Sequence, residues 1–134
     1  MYTLEVLATP LAILRYPPEA LPDWVMALTH TSSLWSITRT DTELSVICEV
    51  AAIPKDPTAG ITTEISQPWR ALRVVGQLDF SLTGVLASLA LPLAKAEISI
   101  FALSTFDTDY LLVKEGMLEP ACEVLARAGF TLLT

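Results

Sequence analysis

The spacing of hydrophobic residues predicts six elements in the second half of the chain. Some segments alternate with the period of two that is typical of a strand, and others repeat with the period of a helix. The predicted elements are strand 69–78, helix 84–95, strands 97–103 and 110–113, helix 117–128 and strand 130–133. The order β-α-β-β-α-β predicts an α+β fold with an antiparallel sheet and both helices on one face, which is the ferredoxin-like arrangement.

The first helix of this half has two unusual residues. Ser81 or Thr83 is the predicted N-cap, and Gly84 either allows close helix packing or lets a ligand approach the backbone. Pro92 lies inside the helix, where a proline costs about 3 kcal/mol. We therefore expect a kink or a tightened turn there.

The first half of the chain has a similar order of elements but fewer of them. Its predicted elements are strand pieces 4–8 and 11–16, a short helix at 24–28, and a hairpin of 33–40 with 43–51. Residues 52–68 hold three prolines and predict the connection between the two halves, with room for one helical turn. The chain is thus predicted to contain two tandem modules, a reduced one at 1–65 and a complete one at 66–134.

Composition and charge exclude several classes of protein. Hydrophobic residues make up 52% of the 134 residues, which means strands buried on both faces or a surface covered by a partner. The net charge of −7 argues against nucleic acid and anionic membranes as partners. The apolar run at 80–94 is shorter than the roughly 20 residues of a membrane span. With no signal peptide and two isolated cysteines, Cys48 and Cys122, we expect a reduced, cytoplasmic protein.

The segment from Leu82 to Val113 resembles the ACT domain. The turn Leu103-Ser-Thr-Phe-Asp-Thr-Asp109, which follows Ile98-Ser-Ile, carries most of the resemblance. The resemblance is closest to the small tandem ACT proteins related to the cytosolic arginine sensors, and it extends to the regulatory domains of aspartokinases. Over residues 69–130 the match is close, whereas the first half is similar only in architecture.

The resemblance implies two ACT modules, no catalytic activity and no cofactor, with a free amino acid bound at a module interface. The implied ligand-binding residues are Gly84, Val85, Ser99, Ile100, Thr105, Phe106, Asp107 and Asp109. A chain of charge −7 favours a cationic ligand, so arginine or lysine is expected. A homodimer and a separate effector protein are the expected partners.

Other interpretations of the same residues stay open. Asp107 and Asp109 could belong to a solvated turn, and they lack the glycine and distal glutamate of a calcium loop, which disfavours a metal site. An interaction or assembly protein without a ligand is the alternative function. An enzyme is the least supported class, because no acid–base pair, phosphate loop or cofactor motif is present in the sequence.

Overall fold

The computed structural model describes residues 2–30, 33–79 and 83–134. The elements are β1 (Thr3–Val6), β2 (Leu11–Tyr16), α1 (Asp23–Met26), β3 (Ser36–Arg39), β4 (Leu44–Glu49), β5 (Glu64–Val74), α2 (Val85–Lys95), β6 (Phe101–Ser104), β7 (Asp109–Lys114), α3 (Leu118–Arg127) and β8 (Thr131–Leu133). Short 3₁₀ turns occur at Ala27–His30, Val50–Ala52 and Glu115–Met117. The chain divides into a middle unit, Thr9–Trp69, and a terminal unit, Met1–Ala8 with Arg70–Thr134.

The terminal unit contains the predicted β-α-β-β-α-β order, which confirms the α+β fold class. In its sheet β7 pairs with both β6 and β5, and β5 pairs in turn with β1. Strand β1 is antiparallel to β5 and parallel to β8, so it lies between the first and last strands of the β-α-β-β-α-β order. Without β1, the order β6-β7-β5-β8 is that of a ferredoxin-like sheet.

One hydrophobic core joins the sheet and both helices of the terminal unit. Leu4, Leu72 and Leu111 of the sheet pack with Leu89 of α2 and Leu125 of α3, and all five are almost fully buried. The two helices also contact each other. Both helices therefore cover the same face of this sheet, as the hydrophobic periodicity predicted.

The strand predicted from residue 97 begins later than expected. Glu97 has a φ of 60° and continues the end of α2, where its N–H donates to Ala94 O and the N–H of Ile98 donates to Leu93 O. These two bonds form a Schellman motif, which satisfies the last carbonyl groups of a helix. The prediction of strand at 97–100 was wrong: Glu97 and Ile98 close the helix, and β6 starts only at Phe101.

The middle unit has fewer elements than the terminal unit. Its sheet order is β3-β4-β2-β5, and the core contains Leu14, Tyr16 and Val46. No α-helix occurs between β4 and β5 within the described residues. The connection instead passes over Tyr16, whose hydroxyl donates to Pro57 O at 2.7 Å, and Trp24 Nε1 donates to the same carbonyl at 3.3 Å.

The boundaries of the two units differ from the predicted division between residues 65 and 66. Strand β1 belongs to the terminal unit because its backbone pairs with β5 and β8. The assignment of 1–65 and 66–134 as ACT modules stays a prediction. In the part of the chain that the structure describes, no helix reaches the length and hydrophobicity that crossing a membrane requires.

Candidate functional site

The start of α2 forms one side of the candidate site. Gly84 is the N-cap, with φ 77° and ψ 3°, and its carbonyl accepts the N–H of Ser88 at 2.9 Å. The prediction of Thr83 as N-cap was wrong, and Ser81 lies outside the described residues. A Cβ atom at Gly84 would meet no other atom within 4 Å, so the left-handed backbone rather than close packing requires glycine.

The amide groups at this helix start make it favourable for an anion. The first four N–H groups of an α-helix have no partner within the helix, and the helix dipole adds about half a positive charge there. Helix α2 has 11 residues and carries no side-chain cap at Gly84. A carboxylate is a suitable group for such a position.

A tight acidic turn between β6 and β7 forms the opposite side. The N–H of Thr105 donates to Thr108 O at 2.8 Å, and this bond closes the turn. Ser104 Oγ donates to Asp109 Oδ1 at 2.7 Å. On the other side of the turn, Gln77 Nε2 donates to Asp107 Oδ1 at 3.2 Å. Each carboxylate is thereby oriented by one neighbouring side chain.

The turn is also bonded to the polypeptide that leads from β5 into α2. The N–H of Leu78 donates to Asp107 O at 2.7 Å, and Thr108 Oγ1 donates to Val74 O at 2.8 Å. These bonds hold the acidic turn beside the segment that precedes the helix. As a result, the negatively charged turn and the positive end of the α2 dipole border the same cavity.

A cavity of about 350 Å³ lies between the helix start and the turn. Its lining residues are Leu78, Asp79, Gly84, Val85, Leu86, Ser104, Thr105, Phe106, Asp107, Thr108 and Asp109. The described lining includes three aspartates and no lysine, arginine or histidine. Phe106 is 73% exposed at the cavity, where its ring offers an apolar surface.

Six of the eight residues predicted to bind the ligand line this cavity. They are Gly84, Val85, Thr105, Phe106, Asp107 and Asp109. Ser99 and Ile100 do not line it: Ser99 is exposed, and Ile100 packs against the core. Both precede β6 because the Schellman motif at Glu97 delays the strand. That the six residues bind a ligand stays a prediction.

Sequence reasoning did not select five of the lining residues, which are Leu78, Asp79, Leu86, Ser104 and Thr108. Ser104 and Thr108 are part of the same recognisable turn, so their polar side chains next to aspartates were a usable signal. The backbone N–H of Leu78 donates to Asp107 O, and this bond holds Leu78 at the site. No local sequence pattern indicates such a bond. Among residues 2–30, 33–79 and 83–134, no three His, Cys, Asp or Glu side chains cluster in a way that could hold a metal.

Residues 64–127, just under half of the chain, match the family model of the ACT domain. A second family model, which describes an N-terminal domain, matches residues 14–56. The chain is related to the cytosolic arginine sensor for mTORC1 subunit 1 of Homo sapiens, with 37% identity over 86 residues. That match covers 63% of this chain and 26% of the relative, so the chain matches about a quarter of the relative's length.

Solved structures agree with this assignment of fold. A crystal structure of a protein from Agrobacterium tumefaciens is 36% identical, with a TM-score of 0.82 over 98% of this chain and 92% of that one. The ligand-free regulatory subunit of aspartate kinase from Thermus thermophilus is 12% identical, with a TM-score of 0.67 over 96% of this chain and 99% of that one. At that identity the likeness is one of fold alone.

Proposed function

We propose that this chain is a non-catalytic regulatory protein that binds a free amino acid in the cavity beside α2. The observation that carries the proposal is the cavity between the start of α2 and a turn with two aspartates. The name of one relative, an arginine sensor, supports a regulatory role. The cavity's opposite charges match the two charged groups of an amino acid.

The ligand's carboxylate is proposed to lie near the N–H groups of Gly84 and Val85. Its ammonium group or basic side chain then faces Asp109, with Asp107 as a second carboxylate. Hydrogen bonds with one charged partner are shorter and about twice as strong as neutral ones. A zwitterion therefore gains from both ends of the cavity, whereas a ligand with one charge gains from one end.

A cationic amino acid suits this cavity better than an acidic one. Three aspartates and no basic residue belong to the described lining, and the whole chain carries a net charge of −7. Opposite charges attract a cationic ligand and disfavour an acidic one. Arginine is the first ligand to test, followed by lysine, and the name of the human relative supports the same order.

The regulatory output is proposed to pass through a separate protein in the cytoplasm. The relatives with a named output are longer or belong to larger enzymes, and this chain matches about a quarter of the human arginine sensor. An effector protein would recognise the ligand-bound form of the chain. A second copy of the chain is the other proposed partner.

A thermal-shift screen with the common amino acids tests the proposal. A ligand at 100 times its dissociation constant stabilises the folded state by about 2.7 kcal/mol. For a domain of this size that free energy raises the melting temperature by several degrees. Arginine should give the shift, while glutamate serves as a control of opposite side-chain charge. If no amino acid at millimolar concentration shifts the melting temperature, the proposal is wrong.

The second candidate is an interaction or assembly protein that keeps the ACT fold without a ligand. The observation that favours it is Leu91 on α2, which is 57% exposed on a helix without charged residues before Lys95. Exposed apolar surface of this kind often marks a protein interface. The same screen separates the two functions, because an assembly protein without a ligand shows no shift with any amino acid.

A further inference from the structure

Thr108 stands out among the polar residues of the chain. Its exposed fraction is 5%, and it is the one buried residue outside the hydrophobic and aromatic types in the part of the chain that the structure describes. A buried hydroxyl costs free energy unless it forms hydrogen bonds, so its presence inside a packed unit calls for a specific reason. Thr108 also lies between Asp107 and Asp109, the two aspartates of the acidic turn.

Both the backbone and the side chain of Thr108 take part in hydrogen bonds. Its Oγ1 donates to Val74 O at 2.8 Å, and Val74 is the last residue of β5. Its N–H donates to Thr105 Oγ1 at 3.3 Å, while its carbonyl accepts the Thr105 N–H at 2.8 Å and the Thr105 hydroxyl at 3.1 Å. The turn is closed by the backbone bonds and attached to β5 by the hydroxyl.

This attachment matters because the residues on either side of Thr108 line the cavity. The carbonyl of Asp107 accepts the Leu78 N–H at 2.7 Å, which is a second link from the turn to the chain that leaves β5. The Thr108 link is the buried one of the two, since Asp107 is exposed. A bond shielded from water holds its geometry better than one at which water competes.

We infer that Thr108 is a positioning residue, whose hydroxyl fixes the acidic turn against β5 so that Asp109 faces the helix start before the ligand arrives. The inference rests on the proposed function, since it concerns the same cavity. A preformed site binds more tightly because ordering the turn costs no free energy during binding. Thr108 acts on the ligand site indirectly, because its hydroxyl attaches the acidic turn to β5.

The test compares Thr108→Val with Thr108→Ser, using L-arginine as the probe. Valine keeps the shape and removes the donor, so we expect the dissociation constant measured by calorimetry to rise about tenfold or more. Serine keeps the hydroxyl and should restore binding to within a few-fold of the wild type. If the valine variant does not fold, Thr108→Ala and Thr108→Ser give the same comparison.

Thr63→Val is the matched control. Thr63 Oγ1 donates to Ile61 O, also at 2.8 Å, but Thr63 belongs to the middle unit and does not line the cavity. Thr63→Val removes one hydrogen bond from a hydroxyl to a carbonyl and leaves the acidic turn unchanged. Arginine affinity should therefore stay at the wild-type value in this variant.

Amide hydrogen exchange in the absence of arginine supplies a second readout. In Thr108→Val the N–H groups of Thr105 and Leu78 should exchange faster, while the N–H of Val50 in the middle unit keeps its rate. Equal affinity for arginine in Thr108→Val and the wild type, or unchanged exchange at Thr105 and Leu78, would overturn the positioning role and leave the proposed function intact. Failure of the wild-type protein to bind any amino acid would overturn both.

Discussion

At the scale of single residues, ligand binding is expected to depend on the charge of Asp109. Its Oδ1 accepts a bond from Ser104 Oγ at 2.7 Å, and an asparagine oxygen can accept the same bond. Asp109→Asn therefore removes the charge and leaves the turn in place. Hydrogen bonds to charged groups contribute about 1.5–3 kcal/mol, so the affinity for arginine should fall about tenfold or more in calorimetry.

A second aspartate in a turn gives the control for this change. Asp41 lies exposed in the turn between β3 and β4 and does not line the cavity. Asp41→Asn should leave both the arginine affinity and the melting temperature of the free protein close to the wild type. Arginine binding that survives Asp109→Asn unchanged would place the ligand elsewhere on the protein.

The thiol of Cys48 makes stability depend on pH in the alkaline range. Cys48 is fully buried, and burial raises its pKa from 9.0 to about 11, with a smaller contribution from the charge of Glu49. The unfolded chain releases the thiol proton at lower pH than the folded chain does. Folding stability is thus intact below pH 9 and decreases between about pH 9 and 11.

Urea unfolding at several pH values between 8 and 11 checks this expectation. For a single group the free energy of unfolding falls by up to about 1.4 kcal/mol per pH unit. Cys48→Ala should reduce this slope, although it also lowers stability at every pH by leaving a small cavity. The pKa of Tyr16 is also raised, mainly by burial and to a smaller extent by the Cys48 charge, and the slope that burial causes remains in the variant. An unchanged slope in Cys48→Ala would contradict the assignment.

At the scale of elements, the two long helices end in the same motif with different residues. After α3 the left-handed residue is Gly129, which has a φ of 105°. The N–H of Phe130 donates to Leu125 O at 3.1 Å. Helix α2 uses Glu97 in the equivalent place, with a φ of 60°. A residue other than glycine in the left-handed region costs about 1–2 kcal/mol. The end of α2 is therefore strained where that of α3 is not.

Glu97→Gly should raise the stability of the protein. The relief of strain exceeds the extra entropy that glycine adds to the unfolded chain, which costs about 0.5–1 kcal/mol. We expect a net gain of about 0.5–1 kcal/mol in the free energy of unfolding, measured with urea. Gly129→Ala is the opposite change in the same motif and should destabilise the protein. A loss of stability in Glu97→Gly would show that its side chain, rather than its backbone, determines the end of α2.

Element types were predictable in the second half, and boundaries were predictable where residue chemistry marks them. The stripe of Val85, Leu89 and Leu93 predicted α2, and all three are buried. Gly129 follows the end of α3 with a positive φ, and a glycine at this place is a sequence signal because glycine is the usual residue in a left-handed helix end. Glu97 carries no such mark, which is why the strand was predicted four residues too early.

The charged residues of the candidate site were predictable from the sequence, but the hydrogen bonds that hold them in place were not. Asp107 and Asp109 were visible in the turn motif, and they line the cavity together with Gly84. The bond from Thr108 Oγ1 to Val74 O joins residues 34 positions apart, and no local spacing indicates it. Long-range hydrogen bonds of this kind depend on the folded sheet, so sequence periodicity does not contain them.

At the scale of the whole molecule, strand β1 shows the same limit. Residues 4–8 were predicted as an extended piece of the first module, and strand β1, Thr3–Val6, confirms the extended conformation for residues 4–6. Their partners are Leu72–Val74, near the middle of the chain, and Thr131–Leu133, at its far end. A pattern of alternating residues predicts that a strand forms, but it does not identify the strands with which it pairs.

The apolar outer surface of α2 leads to a prediction about assembly. Leu91 is 57% exposed, and Ala87 and Ala94 are exposed on the same helix. Helix α3 differs, because Glu119, Glu123 and Arg127 occupy three of its four exposed positions. A chain with a charge of −7 repels its own copies except where the surface is uncharged. We therefore predict a homodimer in which α2 contacts the second copy.

Sedimentation at tens of micromolar should give the mass of two chains, twice 14.5 kDa. Leu91→Lys should return the protein to a monomer, because a lysine charge in an apolar contact must lose its water. Ala126→Lys adds the same charge at an exposed position of α3 and should leave the dimer intact. A monomeric wild-type protein would contradict the prediction, and a dimer that survives Leu91→Lys would exclude α2 as its interface. Because Leu91 does not line the cavity, arginine binding to the monomeric variant would further show that the site is complete within one chain.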